Sequence, residues 1–265
     1  MKCRSRINRY IEKRLTKGAA NASVNRELAA LKRLLNLGAR QTPPKVDRVP
    51  YIPMLKENNV RKGFFEHGDF LALRKALPDY MQGFVTFAYK TGWRVSEIEG
   101  LTWAQVDLAN GIARLEVGET KNTEGRTVYL DEELQEVFQR QSDARKKRTK
   151  ITPYVFTNET GNGPVKDFRG AWATACITAG IGKRLFHDFR RTAVRNMVRA
   201  GIPERVAMMV SGHKTRSVFD RYNIVSDTDL RLASQKTETY LRAQMGTISG
   251  TVTNINDNII ERQGV

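Results

Sequence analysis

Apolar positions recur at helical spacing along most of the chain and at strand spacing in one short stretch. Ile7, Ile11 and Leu15 share one side of a basic segment, which predicts a short helix over 7–15. Val24, Leu28, Leu31 and Leu35 predict a clearer helix over 24–37, ended at Gly38. Residues 41–65 carry four prolines among mixed polar residues, which argues against regular structure. Beyond them, Phe70, Leu73 and Leu77 lead to Pro78, and Met81, Phe84, Val85 and Ala88 lead to Gly92, predicting two successive helices. Ser96 and Glu99 have the spacing of a capping box for a third, short helix. Residues 112–130 read as two strands around the polar turn 122–125, a helix follows Asp131, and 154–156 reads as one more short strand. Phe168, Trp172, Ala175 and Ala179 predict a helix ending at Gly180, and 188–199 another with Phe189, Ala193, Met197 and Val198 inward. Pro203 suits the first turn of a last helix, with Val206, Met209 and Val210 toward the core. The final thirty or so residues lose periodicity.

This pattern predicts a mainly α fold with a small antiparallel β-sheet. It divides the chain into a partial helical segment over 1–50, a linker over 51–65, a main domain over 66–235 and a flexible tail over 236–265. Apolar residues make up 40% of the 265, which excludes a disordered chain.

Charge narrows the function. The chain has 45 Lys and Arg against 28 Asp and Glu, a formal net charge of +17, and a polyanion is the simplest partner for it. The apolar runs are too short and interrupted for a membrane span, so a membrane partner is not expected. Cys3 and Cys176 fit neither a metal-ligand spacing nor a disulfide framework. The N-terminus lacks the apolar run of a secretory signal, so the expected location is the cytoplasm of a bacterial cell, at the nucleoid. The acids Glu97, Glu99, Asp107, Asp188 and Asp220 are scattered and no phosphate-binding glycine loop occurs, so neither a catalytic metal nor a cofactor is expected.

Candidate chemistry concentrates in residues 187–224, which hold His187, Arg190, His213 and Tyr222, with Arg94 and Lys121 upstream. Singly, each has a plain reading. Arg94 is a structural or phosphate-contacting arginine, Lys121 a solvated turn lysine, His187 a helix-start residue, His213 a loop residue and Tyr222 a core aromatic. Tyr240 is a rival nucleophile to Tyr222, but it enters the aperiodic tail. The basic run 140–150 is either a solvated face or a DNA contact.

Together, TGWRVSE around Arg94, a lysine in a β-turn, HDFRRT around His187 and Arg190, the Gly212–His213 pair and a tyrosine nine residues beyond it resemble the tyrosine recombinases, the phage and mobile-element integrase family. The resemblance covers roughly 60–230 and, more weakly, the helical segment before it. Trp93 and Phe189 stand where leucine is common, and Ser211 where leucine is usual. The resemblance implies the family's DNA breaking-rejoining catalytic domain, preceded by a partial core-binding domain. It implies a site-specific recombinase that cleaves and rejoins duplex DNA through a 3′-phosphotyrosine on Tyr222, integrating or excising a phage or mobile element without metal or ATP. Arg94 and Arg190 would clamp the nonbridging oxygens, His213 would donate to the scissile phosphate and His187 would assist proton transfer at the nucleophile. Lys121 would protonate the leaving 5′ oxygen, and Glu97 would orient a cationic neighbour. The implied partners are double-stranded DNA with specific recombination sites, a homotetramer assembled on paired sites and accessory proteins that bend DNA. A resolvase-like or type IB topoisomerase-like enzyme would use the same residues, and a noncatalytic DNA-binding module would not need Tyr222.

Overall fold

The computed structural model of the chain describes residues 2–57, 63–116, 118, 125–149, 151–220, 222 and 227–248. It divides into two compact units, Met1–Arg61 and Lys62–Val265.

In the first unit, α1 (Lys2–Thr16) and α2 (Asn21–Ala39) pack through Ile7 and Ile11 against Val24 and Leu28. Ile52 closes this small core, and Asn25 fixes the returning chain by accepting from the Leu55 amide at 2.8 Å. An ion pair between Arg14 and Glu27, 2.6 Å, ties the two helices at the surface.

The second unit is mainly helical with one small sheet, as the apolar periodicity predicts. Its helices are α3 (His67–Ala76), α4 (Asp79–Thr91), α5 (Val95–Glu99), α6 (Glu132–Lys146), α7 (Arg169–Thr178), α8 (Asp188–Arg199), α9 (Glu204–Ser211), α10 (Arg216–Phe219) and α11 (Asp227–Ile248). Strands β1 (Val106–Asp107), β2 (Ile112–Leu115) and β3 (Arg126–Tyr129) form an antiparallel sheet in that order, with Leu115 opposite Arg126. Helix α4 is the axis of the core, with Met81, Phe84, Val85, Phe87 and Ala88 fully buried. Gly92 ends it in the left-handed region at φ 66°; a side chain there would be strained and would also press on Ala193 of α8 at 2.9 Å. The close seating of α8 on the end of α4 therefore depends on this glycine.

Phe189 plugs the main core from α8. It stacks on Phe65 at 4.5 Å and meets Phe70, Tyr89, Trp172 and Phe186 edge-on. The larger ring is accommodated because its neighbours are rings as well.

Several expectations are corrected. The stretch 51–65 contributes to two cores rather than serving only as a linker: Ile52 lies in the first, and Phe65, fully buried, lies in the second. Bulky apolar residues among the prolines have somewhere to go. The Phe65 amide donates to Thr192 Oγ1 at 2.9 Å, and Arg195 donates to the Phe65 carbonyl at 3.0 Å while pairing with Glu66 at 2.9 Å. The third strand is β1, not 154–156. Val155, Phe156 and Thr157 are all buried, so the stretch lacks a strand's alternation and makes only isolated bridges. On α9 the buried residues are Ala207 and Ser211, whereas Val206 and Met209 are exposed; the helix turns its small residues inward. The tail is helical through Ile248, although Leu230, Leu232, Tyr240 and Leu241 are exposed. Local bonds support it, with Thr237 and Thr239 donating to the carbonyls four residues back and Arg242 pairing with Glu238 at 2.7 Å, and an ion pair between Asp229 and Arg199 of α8 at 2.6 Å ties down its first turn. Residues 249–265, the rest of the expected tail, lie outside the described residues.

Truncating the plug tests this core. Phe189→Ala is expected to cost about 3–5 kcal/mol, because the cavity cannot collapse among interlocked rings. Phe189→Leu is expected to cost clearly less. Urea unfolding of the three proteins measures both, and equal stability of Phe189→Ala and wild type would contradict the packing described.

Candidate active site

Four local structures converge beside the N-terminal half of α8. Gly92 turns the chain out of α4 so that Arg94 stands at the N-cap of α5. The cap is set two residues earlier than the Ser96–Glu99 spacing predicts, with the Glu97 carboxylate accepting from the Arg94 amide at 2.8 Å. Helix α8 brings His187 at its N-cap and Arg190 in its first turn. Gly212, at φ 70°, ends α9 and turns His213 inward. Phe219, fully buried, anchors α10, and its carbonyl accepts from the Tyr222 amide at 2.7 Å.

The side chains then meet directly. The Tyr222 hydroxyl lies 2.9 Å from His187 Nε2. Its ring is 4.7 Å from the His213 ring, with the guanidinium carbons of Arg190 and Arg191 at 5.9 and 5.5 Å. Arg190 is buried; its Nη1 donates to the carbonyls of Gly92, at 2.7 Å, and Ser211, and its Nε donates to His213 Nε2 at 3.2 Å. That bond makes His213 Nε2 an acceptor, so the ring carries its proton on Nδ1, which donates to Ser211 Oγ at 2.8 Å. Ser211 Oγ passes its own hydrogen to the Ala207 carbonyl at 2.6 Å.

The electrostatics are those of a cationic pocket. Burial, and then Arg94, lower the Arg190 pKa to about 10. Burial, and then Arg190 and Arg94, push the His213 imidazole down to about 3. Burial, then Arg190 and Arg191, also lower His187. Both rings are therefore neutral at pH 7. Burial alone would raise Glu97, but its ion pairs with Arg126, at 2.6 Å, and Arg94, at 2.8 Å, keep it below the usual carboxylate range.

Residues 66–229 match the family model of the phage integrase family. The chain belongs to the phage integrase family. It is 28% identical over 212 residues to the integrase of Salmonella phage P22, covering 78% of this chain and 54% of that protein. It thus spans about half the length of that relative. It is 26% identical over 222 residues to the tyrosine recombinase XerC of Lactobacillus leichmannii, covering 78% and 73%. The fold is similar to that of XerA recombinase, with a TM-score of 0.59 and 20% identity over 87% of this chain and 81% of the other. It is also similar to the Tn1549 transposon integrase solved with transposon right end DNA, with a TM-score of 0.68 and 17% identity over 88% and 84%.

In this integrase-family chain, the residues singled out by motif lie together: Arg94, Glu97, His187, Arg190, His213 and Tyr222 belong to one set of contacts, joined between Glu97 and the Ser211 carbonyl by Arg126. Lys121 lies outside the described residues. Tyr240 is on the exposed α11. Sequence reasoning missed Arg126 and Arg191, and noted Ser211 only as a departure from the family pattern. Arg126 had a signal, since it occupies an inward position of β3, where the alternation calls for an apolar residue. Arg191 had none beyond its adjacency to Arg190. Its Nε and Nη1 are buried beside the Tyr222 ring, with no hydrogen-bond partner among the described residues.

The state of His213 has a consequence for acid stability. With about 3 in the folded protein against an ordinary 6.5, the unfolded chain binds the extra proton between those values. Stability is therefore expected to fall as the pH drops from about 6.5 toward 3. His213→Asn is expected to flatten that dependence. Urea unfolding at pH 7 and pH 5 measures it, and imidazole NMR should show no His213 titration between pH 8 and 5; a ring titrating near 6.5 would refute the assignment.

Proposed function

We propose that this protein is a site-specific DNA recombinase that cleaves and rejoins duplex DNA through a 3′-phosphotyrosine on Tyr222. The observation that carries the proposal is the 2.9 Å contact between the Tyr222 hydroxyl and a neutral His187, inside a pocket of arginines. Phenols ordinarily hold their proton at pH 7, so a nucleophilic tyrosine needs a base or nearby positive charge. His187 takes the proton as Tyr222 attacks the scissile phosphorus. The new O–P bond forms as the P–O5′ bond breaks, and Lys121 protonates the departing 5′ oxygen. Rejoining reverses the step and conserves the bond energy, so it requires no ATP.

Charge builds on the nonbridging oxygens during attack, and Arg94 and Arg190 stabilise it. Nη1 of Arg190 is committed to the carbonyls of Gly92 and Ser211, and Nη2 donates to the Gly212 carbonyl at 3.3 Å, so Nε and the second Nη2 hydrogen are the donors left for the phosphate. A phosphate accepting from Arg190 Nε frees His213 Nε2, and its negative charge offsets the depression of that ring, which then donates to the same phosphate. Glu97 is occupied by two arginines, and among the described residues no group of acids, histidines or cysteines gathers to hold a metal ion, so we assign the stabilisation to guanidinium groups.

Duplex DNA with specific sites is the substrate, and the family resemblance supports it, as do relatives solved with DNA, including the Tn1549 integrase and a lambda integrase dimer bound to a core site. The segment over 1–50 contributes a second DNA contact, four protomers act on paired sites and DNA-bending accessory proteins assist. The event is integration or excision of a phage or mobile element in a bacterial cell.

Tyr222→Phe is expected to bind duplex DNA normally and to form no covalent adduct on a nicked suicide substrate, while Tyr240→Phe keeps it. Mass spectrometry of the peptide bearing the nucleotide remnant identifies the nucleophile. A remnant on the Tyr240 peptide would overturn the proposal. Arg94→Ala is the cleaner arginine test, since Arg190 also ties backbone carbonyls. It is expected to slow single-turnover cleavage about a hundredfold with little change in Kd; equal losses in both would make Arg94 an ordinary phosphate contact. With a charge of +17, affinity is also expected to fall steeply with salt, by about 0.9 in log–log slope for each phosphate neutralised. A flat salt series would remove electrostatics from the binding.

A further inference from the structure

Arg126 has no role in the motifs, yet it touches both halves of the site. It rises from an inward position of β3 and is buried, with a side-chain exposure of 6%. Its Nη2 pairs with Glu97 Oε1 at 2.6 Å, on the same oxygen that Arg94 Nη1 holds at 2.8 Å. Its Nη1 donates at 2.9 Å to the Ser211 carbonyl, which also accepts from Arg190 Nη1. Its guanidinium lies 5.2 Å from the Trp93 ring centroid, which fixes its plane. The turn before His213 is shaped around it: Gly212 is left-handed, and any side chain there would land on the Arg126 guanidinium.

We propose that Arg126 is a positioning residue that sets Arg94 through Glu97 and the Arg190–His213 pair through the Ser211 carbonyl. The inference rests on the cleavage reading above. Two consequences follow from charge and geometry. Glu97 is a buried carboxylate shared by two arginines, and without Arg126 its whole charge would fall on Arg94, pulling that guanidinium away from phosphate. The Ser211 carbonyl would also lose one of its two cationic donors, which loosens the turn that presents His213. Neither effect involves DNA affinity, since Arg126 is buried. Both act on geometry, where a displacement of about 1 Å costs up to about a hundredfold in rate. A lysine keeps the charge but not the planar fork that reaches carboxylate and carbonyl together.

The test uses the full chain with Arg126→Gln, Arg126→Lys and the double variant Glu97→Gln/Arg126→Gln. Single-turnover cleavage of a suicide duplex and Kd are measured for each. Arg126→Gln is expected to cleave about tenfold to a hundredfold more slowly with nearly unchanged Kd, and Arg126→Lys to lie between it and wild type. The double variant is expected to be faster than Arg126→Gln, because the unbalanced carboxylate is gone. Wild-type rates in Arg126→Gln or in Arg126→Lys would overturn the proposal. So would a loss of affinity equal to the loss of rate, or a double variant no faster than Arg126→Gln. If Arg126→Gln fails to fold, Arg126→Lys decides, since it keeps a cation beside Glu97. An arm without cleavage separates this inference from the function itself: imidazole ¹⁵N shifts of His213 in DNA-free protein report its tautomer and its bond from Arg190. They are expected to move in Arg126→Lys, and unmoved shifts would overturn the positioning role even if wild type proved to form no adduct.

Discussion

The Arg190 guanidinium is the joint on which the rest of the site depends. It is buried, and it binds the carbonyl at the end of α4 and the carbonyl at the end of α9 through one nitrogen. A buried guanidinium is costly unless its donors are satisfied, so the two helix ends must come to it. Both ends are glycine turns, at Gly92 and Gly212, which expose their neighbouring carbonyls without side-chain interference. The same group then lies beside His213 and the Tyr222 ring. Backbone closure and cation placement are one event here, and a chain that failed to form either turn would leave a buried charge unmatched.

The helices were legible where an apolar stripe meets a clear stop. Helix α4 shows both features, with Met81, Phe84, Val85 and Ala88 followed by Gly92, and α8 shows the stripe through Phe189, Ala193 and Met197. The site was legible as an order of polar residues, because Arg94, His187, Arg190, His213 and Tyr222 sit on elements whose contacts the stripes imply. What escaped was set by contacts distant in sequence. Arg126 looks like an ordinary charge until Glu97 and Ser211 are brought to it. On α9, apolar size pointed to Val206 and Met209, while close approach to α8 favoured the small Ala207 and Ser211. Helix α11 shows no buried stripe among its described side chains and is held by local bonds and the Asp229–Arg199 ion pair, so periodicity could not reveal it. The role of Phe65 was hidden because it follows the polar stretch 56–63 rather than a periodic segment.

The charges of the site are graded by burial. Arg126 and Arg190 are enclosed and hold protein acceptors, whereas Arg94 keeps 29% of its side chain exposed and shares a carboxylate that is already paired. The enclosed cations build the pocket, and the accessible one is free to change partners. Burial, and then the same cations, hold His213 neutral, and an anion among those cations would raise its pKa.

The docking of residues 63–66 on α8 determines where the second unit can be cut as an independent fragment. Phe65 supplies a ring to the Phe189 cluster, its amide satisfies Thr192, its carbonyl satisfies Arg195, and Glu66 neutralises that arginine. A fragment beginning at His67, where the first regular helix starts, would strip all four from the helix that carries Arg190. It would leave an unpaired guanidinium and a hollow beside Phe189. The boundary of a self-standing fragment of the second unit therefore lies upstream of Gly63, inside the stretch that reads in sequence as a linker.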